Sequence, residues 1–194
     1  MRRKINKQDI IEAGLDIMFE KGYADTGIKD ITDRMEIPKG SFYNHFENKE
    51  EFGLQVLRFY GERGAKMYED RLLTSKGTPL GRLKTMFSSI IDNYAPMEYK
   101  LGCVMSNFSA ELGDTNEEFR KVLDFQFNKH EAVIYQTLVD AKEAGEIPKS
   151  IDPKQMANYI LNSWHGALVR MKSTANSKPL TDFYDITFNT LLST

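Results

Sequence analysis

A single cysteine stands among the 194 residues, so no disulfide can close within the chain, and the composition suits a reducing cytoplasm. No apolar run approaches the roughly 18 residues that a membrane-crossing helix requires. Residues 1–9 are polar and lead into no uninterrupted apolar stretch, so a secretion signal is not expected. The three histidines share no metal-ligand spacing, and Gly-rich phosphate loops, H-E-x-x-H pairs, Cys-x-x-Cys pairs and G-x-S-x-G elbows are all missing. Neither a metal nor another cofactor is therefore expected. Catalysis would need a constellation assembled from distant residues, with Cys103 as nucleophile and His130 or His165 as base. A strong charge of one sign is missing too: 26 Lys and Arg face 28 Asp and Glu, a net of −2, which excludes a basic nucleic-acid coat protein and leaves any DNA binding to local charge. There are no internal repeats or low-complexity tracts.

With 41% hydrophobic residues the chain can bury a good core, and its length suits a small domain joined to a larger one. The densest signal lies in residues 31–52, ITDRMEIPKGSFYNHFENKEEF. Ile28, Ile31 and Met35 recur on one helical face, so residues 26–35 are predicted to form a short helix capped by Thr26 or Gly27. Ile37-Pro38 interrupts it, because proline lacks an N–H and keeps its predecessor out of helical geometry, yet suits the first turn of a new helix. A second helix is predicted over residues 39–46, with Phe42 and Phe46 on its buried side. Lys39, Ser41, Tyr43, Asn44 and His45 are left outside, where they can reach base edges or phosphates in a major groove, and Gly40 lets the backbone approach closely. Asn48 and Glu51 form an N-x-x-E helix start that brings Lys49 to a positive helix end as a phosphate clamp. Two short helices around a turn, with a third beginning, outline a helix-turn-helix DNA reader.

Residues 1–50 hold nine Lys or Arg against ten Asp or Glu, so arrangement rather than sum must serve DNA. Arg2, Arg3, Lys4 and Lys7 precede the first acid as a basic arm that could follow the duplex backbone, enter a minor groove or equally act as a solubilising terminus. Asp9, Glu12, Asp16 and Glu20 recur at helical spacing and are expected on the outward face of the first helix.

From Asn48 the helical pattern continues through Phe52, Val56, Phe59 and Tyr60 towards Arg71, until residues 74–79, TSKGTP, break it. Further helices are predicted at about residues 80–94, 102–112, 116–144, 152–172 and 181–192, with breaks at Pro96, Gly113-Asp114, residues 145–148 and residues 174–179. No segment sustains strand alternation, so the fold class is all-α.

Residues 10–52 resemble the N-terminal domain of the TetR family of transcriptional repressors. The resemblance rests on Ile11, Ala13, Phe19 and Gly22 in the first helix, Thr26 and Ile31 in the second, GSFYNHF over residues 40–46, and Asn48-Lys49. Two positions depart from the family pattern: Glu36 stands where a turn glycine is usual, and Thr32 where a small alanine is usual. A non-glycine residue at positive φ costs roughly 1 kcal/mol, which a packed domain absorbs. The resemblance implies a helix-turn-helix domain over residues 1–48, with Thr26, Lys39, Gly40, Ser41, Tyr43, Asn44, His45 and Lys49 at the DNA, and a larger helical ligand-binding and dimerisation domain over residues 49–194. It further implies a small-molecule inducer and a homodimer through the last two long helices, matched to the half-sites of a palindromic double-stranded operator. In the helix from Asp152, Ala157, Ser163, Gly166 and Ala167 lie among Tyr159, Leu161, Trp164, Leu168 and Met171, a mixture that suits a partner helix or intramolecular packing.

Residues 99–112, YKLGCVMSNFSAEL, set Cys103 in the first turn of a predicted helix, where the positive helix end and Lys100 could stabilise a reactive thiolate. The bland alternative is a small buried hydrophobe. The Gly-Cys start followed by NFSAEL resembles a TetR subgroup that includes repressors responding to electrophiles through a cysteine here. A noncovalent pocket could draw on Phe87, Tyr94, Phe108, Phe125, Tyr135 and Trp164, with His130 and His165 as polar anchors, although each of these also suits a core. The expectation is a cytoplasmic, ligand-responsive repressor, with a transcriptional activator and a helical enzyme using Cys103 as alternatives.

Overall fold

Asn6 and Asp9 open the first helix reciprocally: the Asn6 side chain accepts the Asp9 N–H at 2.9 Å, and the Asp9 carboxylate accepts the Asn6 N–H at 3.1 Å. The computed structural model describes residues 6–193, and among these the elements are helical throughout, as the all-α expectation requires. Arg2, Arg3 and Lys4 of the expected basic arm lie outside the described residues; Lys7 begins the first helix. No helix among the described residues is long and apolar enough to cross a membrane.

The chain divides into two compact units, the first drawn from residues up to Glu62 and Cys103–Phe125. It contains α1 (Lys7–Lys21), α2 (Ile28–Arg34), α3 (Lys39–Tyr43), the beginning of α4 (Lys49–Glu69), α6 (Val104–Leu112) and the beginning of α7 (Glu117–Glu143). Glu12, Asp16 and Glu20 are exposed along α1, whose other face buries Ile10, Ile17 and Met18. Phe42, Phe46 and Phe52 are buried with ring centroids 4.8–5.1 Å apart, a cluster that fixes α3 to the start of α4. A Cβ on Gly14 would fall 2.2 Å from the Phe52 ring, so glycine is what lets the ring lie against α1.

Two short helices are tighter than the sequence pattern predicts. α2 begins after Gly27, whose N–H donates to the Asp30 carboxylate at 2.7 Å, so the Asp30 side chain closes the N-terminus and Thr26 is not the cap. It ends in a left-handed turn at Glu36, φ +54, with the Ile37 N–H returning to the Thr32 carbonyl at 3.0 Å. The buried Thr32 hydroxyl is satisfied by the Lys29 carbonyl at 3.1 Å. α3 stops at Tyr43 rather than Phe46, and single turns carry the chain on to Asn48.

The second unit comprises Arg63–Gly102 and the chain from Gln126 onward. In it α4 ends in a π-helical turn, Asp70–Thr74, followed by α5 (Pro79–Asp92), the rest of α7, α8 (Pro153–Thr174) and α9 (Lys178–Tyr184), which runs into a second π-helical segment, Asp185–Leu191. The break predicted up to Pro179 ends earlier, because proline fits the first turn of α9, where no N–H is required. Phe87, Trp164, Phe183 and Phe188 pack ring against ring between α5, α8 and the C-terminal segment.

Candidate nucleic-acid interface

α3 presents an exposed polar outer surface. Lys39, Gly40, Tyr43 and Asn44 are exposed, Ser41 and His45 are half-buried, and Tyr43 keeps 47% of its surface while its edge meets Phe42. The Lys39 ammonium lies 5.8 Å from the Tyr43 ring centroid, one turn along, so the cation and the phenol form one outward feature. Among the described residues, nothing beyond its chain neighbours and its own helix backbone comes within 4 Å of a Cβ built on Gly40. That glycine answers no packing demand among the described residues, unlike Gly14, and so fits a backbone approached from outside.

Thr26 stands differently from the expectation. It is fully buried, and its hydroxyl donates to the Gly22 carbonyl at 2.7 Å, so it holds the loop between α1 and α2 rather than facing a duplex. Lys49 is half-exposed and also engaged by that loop. The expected helix start is present, with the Glu51 N–H on the Asn48 side chain at 2.8 Å, although the Glu51 carboxylate reaches back to the Glu47 N–H at 2.7 Å instead of Asn48. From that start the Lys49 ammonium donates to the Ala24 carbonyl at 3.0 Å and sits 4.5 Å from the Tyr23 ring centroid. Burial lowers its pKa, opposed by the charges of Glu111, Asp25 and Asp30. The aromatic face and the carbonyl offer the ammonium a site that a free phosphate clamp would forgo.

The same loop is held from the other side by a residue to which the sequence motif assigned no role of its own. Glu111, in the last turn of α6, accepts the Ala24 N–H at 2.8 Å and the Tyr23 N–H at 3.3 Å. Tyr23 in turn packs edge-on against Phe108 of α6 and Phe119 of α7. A carboxylate at the negative end of a helix is disfavoured, and that anomaly in NFSAEL is the signal that could have singled it out. Gly22, at φ +86, is required here because a Cβ would stand 2.6 Å from the Glu111 carboxylate.

Cys103 is the N-cap of α6 rather than a first-turn residue, and only 7% exposed. The Tyr60 hydroxyl meets its sulfur at 3.7 Å, whereas Lys100, expected to support the thiolate, is ion-paired with Glu98. Of the proposed pocket residues, Phe87 and Trp164 come together in the aromatic core of the second unit. Phe108 belongs instead to the Tyr23 cluster, and Tyr94 donates through its hydroxyl to the Gly102 carbonyl at 3.1 Å. Phe125 and Tyr135 line no interior: they are 59% and 41% exposed, because a helix as long as α7 turns some of its aromatics outward. His130 is buried and stacks on Tyr68, and His165 packs edge-on against Phe127.

Comparison with known proteins agrees with this geometry. Residues 10–56 match the family described as bacterial regulatory proteins, tetR family, and residues 79–186 match the tetracyclin repressor-like C-terminal domain. The transcriptional repressor DhaR of Mycobacterium sp. (strain GP1) is 34% identical over 192 residues, covering 99% of this chain and 95% of its own. The crystal structure of a regulatory protein TetR from Rhodobacter sphaeroides superposes with a TM-score of 0.87 at 30% identity, covering 94% of this chain and 96% of that one. The reduced form of Escherichia coli NemR gives a TM-score of 0.88 at 24% identity over 95% of each chain, a likeness of fold. With an outward α3 after a tight turn, and both halves of the chain matched, the protein belongs to the TetR family and is a helix-turn-helix transcriptional repressor.

Proposed function

We propose that this repressor binds a palindromic operator as a homodimer through α3 and releases it when a ligand or a thiol-reactive electrophile acts near Cys103. The observation that carries the release step is the span of α6, which has Cys103 at its N-cap and Glu111 clamped on the α1–α2 loop in its last turn. A change at the sulfur shifts α6, and the Glu111 clamp passes the shift to the loop that precedes α2 and α3. The energetic demand is modest: a hundredfold loss of operator affinity needs about 2.7 kcal/mol of difference between two conformations. The Tyr60 hydroxyl, 3.7 Å from Sγ, ties the sulfur to α4, so a group added there must displace that contact.

At the DNA, Tyr43, Asn44, Lys39, Ser41 and His45 make the contacts, Gly40 admits the backbone, and Thr26 and Lys49 position the loop. Dimerisation uses α8 and the C-terminal segment. Tyr159, Gly166 and Val169 share an exposed face of α8, no described residue crowds a Cβ on Gly166, and Ile186 and Leu191 are exposed beyond α9. Ala157 and Ala167 are buried and serve internal packing instead.

The reading is tested by titrating the protein onto fluorescent operator DNA before and after a mild electrophile, beside Cys103→Ser. Release that requires Cys103 supports the covalent route; release by electrophile in the Cys103→Ser variant contradicts it.

A further inference from the structure

A cleft of about 200 Å³ opens in the second unit between the π-helical end of α4, the loop after it and α5, lined by Arg71, Ser75, Lys76, Arg82, Thr85, Met86 and Ser89. We propose that it binds an oxyanion, the carboxylate or phosphate group of a small ligand. Three cations line it and no acid does. Among the described residues none of the three is ion-paired, and the neighbouring Asp70 is already held by Lys66. Like charges gathered without a counter-charge repel, and an anion is the natural remedy.

The two guanidinium groups are held for the task. Arg71 donates to the Ser89 hydroxyl at 2.7 Å, which itself donates to the Met86 carbonyl at 2.9 Å. Arg82 donates to the Gly77 carbonyl at 3.0 Å, tying the loop to α5, and its Nε is buried with no acceptor. A buried N–H without a partner is costly, and a guanidinium that is only partly used by backbone acceptors suits a forked contact with two oxygens of one anion. The loop backbone is pinned in turn, because the Thr74 and Ser75 hydroxyls both donate to the Asp70 carbonyl at 2.8 Å. The space is several times what one water needs, and the buried Met86 gives it an apolar wall, so a short carbon chain fits behind the anionic head.

The test is thermal unfolding of the full chain with sodium phosphate or sodium propionate, against sodium chloride at the same ionic strength. Wild type is expected to gain about 3 °C or more, saturably at tens of millimolar, with phosphate or propionate but not chloride. The stronger of the two identifies the head group as phosphate or carboxylate. The gain should fall by at least half in Lys76→Gln, whose exposed side chain holds nothing in the fold, and vanish in Arg71→Gln combined with Arg82→Gln. No gain beyond chloride, or an undiminished gain in Lys76→Gln, overturns the proposal.

Discussion

The Glu111 carboxylate accepts the backbone N–H of Ala24 at 2.8 Å, across 87 residues of sequence, so the last turn of α6 grips the loop that leads into the helix-turn-helix. Glu111→Ala should cost about 1–2 kcal/mol, a fall of roughly 2–8 °C in Tm, since bonds to a partly exposed carboxylate are replaced by water. The electrophile-driven change in operator affinity should shrink towards unity in this variant. An unchanged inducer response, measured by anisotropy, would show that the signal bypasses Glu111.

Gly40 should be expendable for folding and not for binding. Gly40→Ala meets no packed neighbour among the described residues and gains helix propensity, so Tm should hold or rise slightly, by the equivalent of up to ~1 kcal/mol. Operator affinity should fall about tenfold or more, ~1.4 kcal/mol, because the new methyl stands between α3 and the duplex. Equal affinity for both proteins would move the duplex off this face.

Tyr43→Phe keeps the ring under Lys39 and removes only the hydroxyl. Specific and nonspecific DNA affinities should drop together, as for a phosphate contact. Lys39→Ala should instead alter discrimination among operator variants by roughly 1–3 kcal/mol, the range for a base-edge contact. Uniform losses across variants would make Lys39 a phosphate contact too.

Asp30 makes part of the stability pH-dependent. The Lys21 ammonium at 2.9 Å, and then the Gly27 N–H, hold its carboxyl below the usual carboxylate range. A folded-state pKa below the unfolded one contributes stability that is present above the unfolded value and lost as pH falls through the folded one. Asp30→Ala should therefore melt below wild type at pH 7, and the gap should close under strong acid. A gap that persists unchanged at pH 2 would assign the effect to packing.

Much of this molecule can be read without coordinates wherever local chemistry decides. Asn48 before Glu51 and the core pair Phe42 and Phe46 follow from spacing and caps within a few residues, and the positive φ at Glu36 from the family resemblance, which has a turn glycine there. What escapes is direction at long range. Lys49 occupies the predicted helix start, yet its ammonium turns to a carbonyl 25 residues back, and Glu111 acts on a loop 87 residues away. Phe125 and Tyr135 look like pocket residues in composition, but their exposure depends on which face of α7 meets its neighbours. The π-helical ends at Asp70–Thr74 and Asp185–Leu191 leave no periodicity that a helix pattern distinguishes.

The most direct measurement is selection of sheared genomic DNA by the purified protein, followed by footprinting and anisotropy of the recovered fragment with competitor DNA present. The account predicts one short, two-fold-symmetric protected site, bound far more tightly than competitor by wild type and weakly by Gly40→Ala. Recovery of fragments without a shared site, or a site bound equally well by both proteins, would contradict it.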